Sequence, residues 1–130
     1  MQSYFFIFIV MKTKIIIAGG RTFNNYDFLK ESVLKYLKTI DSENIQIVSG
    51  GAKGVDALGE RFAKEQNIDL VIFPADWSQF GRSAGPKRNA QMADYASHLI
   101  SFWDGQSKGT KSMINLAKKK GLQVEIISID

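Results

Sequence analysis

The sequence predicts an α/β domain: a three-layer α/β/α sandwich around a five-stranded parallel sheet. Three observations lead there. Short apolar runs alternate with longer amphipathic stretches from Lys14 onward. The clearest run is continuously apolar and β-branched, as in a strand buried on both faces. Helix-length segments separate successive runs, and a pair of parallel strands needs such a crossover.

The elements follow in order. Lys14–Ala18 (KIIIA) reads as the first strand. Tyr26–Thr39 places Phe28, Leu29, Val33, Leu34 and Leu37 at helical spacing, with Ile40 just beyond. Ile45–Val48 is the second strand. Gly54–Glu65 is the second helix, with Val55, Leu58, Phe62 and Ala63 on one face. Leu70–Phe73 is the third strand, closed by Pro74. After a glycine-containing polar loop, Pro86 suits the first turn of a third helix carrying Met92 and Tyr95. His98–Trp103 is the fourth strand. Thr110–Lys120 is the fourth helix, ended by Gly121, and Gln123–Ile127 is the fifth strand. Right-handed crossovers in the order βαβαβαβαβ give a doubly wound, Rossmann-like sandwich, whose ligands bind at the carboxyl ends of the strands beside a topological switch point. Every glycine cluster except the capping Gly121 falls at that end.

Composition narrows the chemistry. A chain of 130 residues is one ordinary domain. With 45% hydrophobic and 23% charged residues it has the profile of a folded chain. The absence of cysteine excludes a disulfide framework and a thiolate zinc site, and a lone histidine, His98, excludes a histidine cluster. No resident metal is expected, although Mg2+ carried in with a nucleotide remains compatible. The net charge of +4 favours anionic partners without singling out nucleic acid. Tyr4–Val10 is apolar but far short of the roughly 20 residues of a membrane span. It also lacks the basic flank of a signal peptide. The expectation is therefore a cytoplasmic protein with no membrane association. Residues 1–10 are read as an extension upstream of a functional start at Met11, and 11–130 as the domain. The competing reading of residues 1–10 is an extra edge strand, which would have to be covered.

Four loops carry the candidate chemistry. Gly19, Gly20 and Arg21 follow the first strand, where glycine lets a backbone approach a ligand and arginine forks onto a phosphate or carboxylate. Ser49, Gly50, Gly51, Lys53, Gly54 and Asp56 follow the second strand. A glycine-rich turn opening a helix presents unpaired N–H groups and the positive end of a helix dipole, a phosphate cradle. Asp56 either complements that dipole or binds ribose hydroxyls. The third loop, from Pro74 to Asn89, joins Trp77 with Arg82, Lys87, Arg88 and Asn89, a mixture suited to base stacking and phosphate charge. It reads equally well as a solvated basic loop around a packed tryptophan. The fourth loop holds Asp104, Gly105, Ser107, Gly109 and Thr110, with a second phosphate-ready helix start. Trp103 beside it suits either the core or a base. His98 begins its strand at the opposite edge and reads as structural. The dinucleotide fingerprint, the P-loop, a Ser–His–Asp set and a zinc motif are all absent.

The segments KIIIAGGRTF, IVSGGAKGVDALGERFA, FPADWSQFGRSAGPKRNAQM and WDGQSKGTKSMI together resemble the SLOG superfamily, closest to its YspA-type (cpYpsA-related) branch, over Lys14 to about Ile127. The resemblance implies a Rossmann-like fold, a nucleotide-derived ligand, a homodimer and a setting in phage or conflict systems. More distant relatives diverge. The LOG enzymes are phosphoribohydrolases that release a base from a nucleoside 5′-monophosphate. Their P-G-G-x-G-T-x-x-E motif is echoed at Asp104–Thr110, with Gly109-Thr110 kept and Met113 at the glutamate position. DprA/Smf, a single-stranded-DNA-binding protein, has a segment similar to Ser49–Asp56.

Three functions follow as expectations. The first is binding or sensing of a nucleotide derivative, with phosphate on the glycines and Thr110, and Arg21 and Arg88 as counter-charges. The second is N-glycosidic hydrolysis, for which Asp56, Asp76 and Asp104 are the candidate carboxylates. The third is single-stranded nucleic-acid binding through Arg82, Lys87, Arg88 and Trp77.

Overall fold

The computed structural model describes residues 12–129. The expected extension, residues 1–10, and the expected start at Met11 lie outside them. Five strands, β1 (Thr13–Gly19), β2 (Ile45–Ser49), β3 (Asp69–Ile72), β4 (His98–Trp103) and β5 (Gln123–Ser128), form one sheet in the order β3-β2-β1-β4-β5. All four pairings are parallel, as the crossovers require.

Side chains along β1 alternate between the two faces. Ile15 and Ile17 join Leu29, Val33 and Phe62 in one cluster, so helices α1 (Tyr26–Leu37) and α2 (Val55–Glu65) cover that face. Ile16 and Ala18 join Met92, Ala93, Met113 and Ile114 on the other, beneath α4 (Ala84–Tyr95) and α5 (Lys108–Lys119). The chain therefore winds along one face through β1, β2 and β3, then crosses back through α4 to β4 on the other. The direction reverses between β1 and β4, which are hydrogen-bonded neighbours. This is the three-layer Rossmann-like architecture that the strand pattern predicts.

Two local features differ from the sequence reading. The loop after Pro74 contains a short helix, α3 (Trp77–Phe80), followed by a 3-10 turn at Gly81–Ser83. Asp76 caps α3, its Oδ1 accepting from Gln79 N at 3.1 Å and Ser78 Oγ at 2.8 Å. A single helical turn is too short to show hydrophobic periodicity. Second, α5 begins at Lys108 rather than Thr110, because Ser107 caps it and accepts from Thr110 N.

Candidate functional site

A cleft of about 540 Å3 opens at the carboxyl ends of β1 and β4, where the winding reverses. Its apolar floor is the buried Ala18, Met92 and Met113. Around this base stand Gly19, Gly20 and Arg21 from the first loop, and Asp104, Ser107, Gly109 and Thr110 from the start of α5. Arg88 and Asn89 of α4 and Asp56 of α2 complete the polar wall. A second hollow of about 410 Å3 adjoins it. That hollow is lined by Gly50, Gly51 and Lys53 and shares Arg21, Ala52, Trp77 and Arg88 with the cleft. Trp77 is 50% exposed and lies 6.0 Å from the Arg21 guanidinium, so one indole borders both spaces.

The two helix starts that look alike in sequence do different things. At α2 three backbone N–H groups are already engaged. Gly51 N donates to Ser49 Oγ at 3.1 Å, Ala52 N to Asp56 Oδ2 at 3.2 Å, and Val55 N to the Gly20 carbonyl at 3.1 Å. Ser49 is fully buried behind the loop and also donates to Glu60 Oε2 at 2.7 Å. Gly54 has φ +73°, and a Cβ there would collide with the Gly20 carbonyl oxygen, so glycine is needed to dock the first loop on the second. Gly50 faces another neighbour: a Cβ would lie 2.6 Å from Arg88 Nη1 and 2.9 Å from Asp56 Oδ2. Ser49 and Gly54 line neither space. Gly50, Gly51 and Lys53 line only the smaller hollow.

The start of α5 is open by comparison. Helix geometry leaves the N–H groups of Lys108 and Gly109 without intrahelical acceptors. A Cβ on Gly109 would meet no atom within 4 Å. Thr110 is buried, its N–H donating to Ser107 Oγ and its hydroxyl 3.1 Å from the same oxygen. Asp104 Oδ1 accepts from Gln106 N and Ser107 N, both at 2.8 Å, and the Ser107 and Gln106 N–H groups hold its carboxyl below the usual range. Gly105, at φ +82°, makes the turn and does not line the cleft.

Charge in the site centres on Asp56 and Arg88, 6% and 8% exposed. Burial pushes the Asp56 carboxyl up, against the Ala52 N–H and the positive charges of Arg88 and Arg21, which pull it down. Burial pulls the Arg88 guanidinium down, while Asp56 opposes the shift. Arg88 donates through Nη1 to the Gly50 carbonyl and through Nε to Asn89 Oδ1 at 2.9 Å. The cleft thus joins a mixed-charge buried wall to an open helix N-terminus and an exposed arginine, an arrangement that can receive an anion beside an apolar floor.

Among the sequence-derived candidates, Asp56 and Asp104 reach the cleft, and Asp76 lies outside it, committed to capping α3. Arg82 and Lys87 line neither space, and Lys87 instead sits over the Phe80 ring at 4.9 Å. Trp103 packs against the second core cluster and donates its indole N–H to the Ser107 carbonyl at 3.1 Å, so it supports the fourth loop from behind. His98, at the opposite end of β4, contacts Ser97 Oγ through Nδ1 at 2.7 Å. Thr22 and Ser112 also line the cleft and carried no sequence signal, and Met92 was legible only as a core residue of its helix. Among the described residues no group of three or more metal-ligating side chains comes together, and no helix is long and apolar enough to cross a membrane.

The comparison that bears on kinship matches the family model of the YspA, cpYpsA-related SLOG family over residues 13–80, from β1 through α3. The chain belongs to this SLOG family. Membership points to a nucleotide-related, Rossmann-like function. Among curated proteins none matches the chain significantly. The family match ends before α5, and the open helix start at Lys108 and Gly109 lies beyond it.

Proposed function

We propose that this SLOG domain binds a nucleotide or nucleotide-derived ligand in the cleft between β1 and β4. The observation that carries the reading is the open N-terminus of α5 facing Arg21 and Arg88 across an apolar floor. A phosphate on the Lys108 and Gly109 N–H groups gains charge-assisted hydrogen bonds and the helix dipole. Arg21 closes on it from the first loop. Met113 and Met92 then offer an apolar surface to the rest of the ligand, and Trp77 offers a ring face at the rim. The engaged backbone of the second loop acts in this reading as a buttress: it fixes Arg88 and Asp56 and leaves the direct phosphate contacts to α5. Titration calorimetry with nucleoside 5′-monophosphates against the matching nucleosides tests it. The phosphorylated forms should bind at least tenfold tighter, and equal affinities would remove the phosphate from the argument.

A hydrolytic reading has one observation in its favour. Asp56 is a buried carboxyl, raised above its ordinary range, that lines the cleft. Against it stands Met113, buried at the cleft floor where the LOG resemblance places a glutamate. A thioether moves no proton, so release of base from adenosine monophosphate should be negligible. Turnover that disappears in Asp56→Asn would promote hydrolysis over sensing. Resemblance to the superfamily extends the proposal to a cytoplasmic homodimer, which light scattering on the purified chain checks.

A further inference from the structure

A third concavity, about 600 Å3, runs between α4 and α5 and shares Pro86 and Ser112 with the cleft. Its apolar strip is Pro86, Ala90 and Leu116, and its charged side is Lys108, Lys111 and Lys119. With Asn115, the lysines stand at helix positions i, i+3, i+7 and i+11, a single stripe down α5. No acidic residue occurs anywhere in α5 or in the lining of this groove. Among the described residues none of these three lysines is in an ion pair, whereas neighbouring Lys120 pairs with Asp94 at 2.8 Å. Three uncompensated cations in one row repel each other, and an anionic chain laid along them relieves that repulsion.

The stripe begins at the helix start proposed to hold the ligand's phosphate. We infer that the groove continues the cleft and that the site takes the end of a short single-stranded oligonucleotide: one nucleotide in the cleft, the following phosphates on Lys111 and Lys119. The inference rests on the nucleotide reading of the cleft and extends it. Lys108 to Lys119 spans about 16 Å of helix axis, the reach of a few nucleotides. The groove has no aromatic ring, so it contributes phosphate contacts, independent of base, and any stacking is left to Trp77. Continuity with the cleft favours a nucleic-acid strand over an acidic protein segment, which would have no reason to share the cleft's rim. This path differs from the basic loop of Arg82 and Lys87, which lies outside both spaces.

The test uses the full chain with 5′-phosphorylated mononucleotides and homopolymers of two to six nucleotides in each of the four bases. Affinity should climb from one to about four nucleotides and then level off. Lys111→Ala with Lys119→Ala should weaken the tetranucleotide at least tenfold and leave mononucleotide affinity within twofold. The slope of log affinity against log salt should become shallower by about 1.4, two contacts at 0.7 each. Mononucleotide binding with no gain on lengthening overturns the inference and leaves the cleft reading intact. Lysine-dependent binding of the tetranucleotide with no mononucleotide binding overturns the cleft reading and keeps the groove as a strand site. An oligoglutamate of equal charge that binds as tightly, with the same lysine dependence, also overturns the inference, because the groove would then be a docking site for acidic protein. Absence of binding by every nucleotide, short or long, overturns both.

Discussion

Gly109→Val separates binding from folding, because the structure gives the new side chain nothing to strike. A Cβ at this position meets no atom within 4 Å, and the backbone is helical. Valine is slightly less costly than glycine on helix scales, so stability should change by less than about 0.5 kcal/mol. Its effect on a bound phosphate is larger. An isopropyl group beside the Lys108 and Gly109 N–H groups obstructs the approach of the anion. Each charge-assisted hydrogen bond lost costs about 1.5–3 kcal/mol. The expected result is at least a tenfold loss of nucleotide affinity, about 1.4 kcal/mol, with an unchanged melting temperature. Calorimetric titration alongside thermal melting reads both quantities from one preparation. Wild-type affinity in a fully folded variant would refute the assignment of the phosphate to α5.

Gly50→Ala should behave in the opposite way. Its Cβ would lie 2.6 Å from the Arg88 guanidinium, displacing a buried charged donor from its carbonyl, at about 2 kcal/mol and several degrees of melting temperature; an unchanged melting curve would show that Arg88 relaxes freely. Asp56 makes a pH-dependent contribution. Because burial raises its carboxyl in the folded protein, the folded state holds the proton longer. The cost of ionising it is therefore absent below the unfolded value of about 3.9, grows as pH rises and is complete above the folded value. Asp56→Asn should accordingly gain stability over wild type as pH rises from about 4 towards neutrality, and parallel stability curves across that range would contradict the sign. Trp77→Ala should weaken nucleotide binding by about 1–3 kcal/mol if a base stacks on the indole, while Lys38→Ala, at the exposed C-cap of α1, should do nothing measurable by the same titration.

The first strand was legible because burial on both faces writes a continuous β-branched run. Ile15, Ile16 and Ile17 are all fully buried, alternate residues serving opposite cores. Clustering of glycines at one sheet edge was legible for the same topological reason. What each glycine does was not. Gly50 and Gly109 both stand near a helix start and look interchangeable in sequence. The first is packed against Arg88, 38 residues away, and the second faces open space. That difference depends on a tertiary neighbour and leaves no local trace. Asp56, Asp76 and Asp104 were likewise equivalent as carboxylates after strands. Burial now distinguishes Asp56, and two different turns consume the other two.

The division between the two helix starts has a physical logic. Arg88 is an expensive residue to bury, and its charge is tolerable only with fixed acceptors around it. The second loop supplies them: the Gly50 carbonyl directly, and Asp56 as a nearby negative charge that the Ala52 N–H helps hold in place. A loop used in this way has fewer N–H groups to open to a ligand, because Gly51, Ala52 and Val55 are spent on internal partners. The anion is left to the helix on the other side of the switch point, where Asp104 and Ser107 settle the turn and the Lys108 and Gly109 N–H groups remain for the ligand. An arginine held rigidly on one wall and an uncommitted helix dipole on the other give a phosphate two kinds of attraction from opposite sides. Reversing the roles would bury the dipole and leave Arg88 without its acceptors, at a cost to folding that no ligand contact in an open cleft offsets.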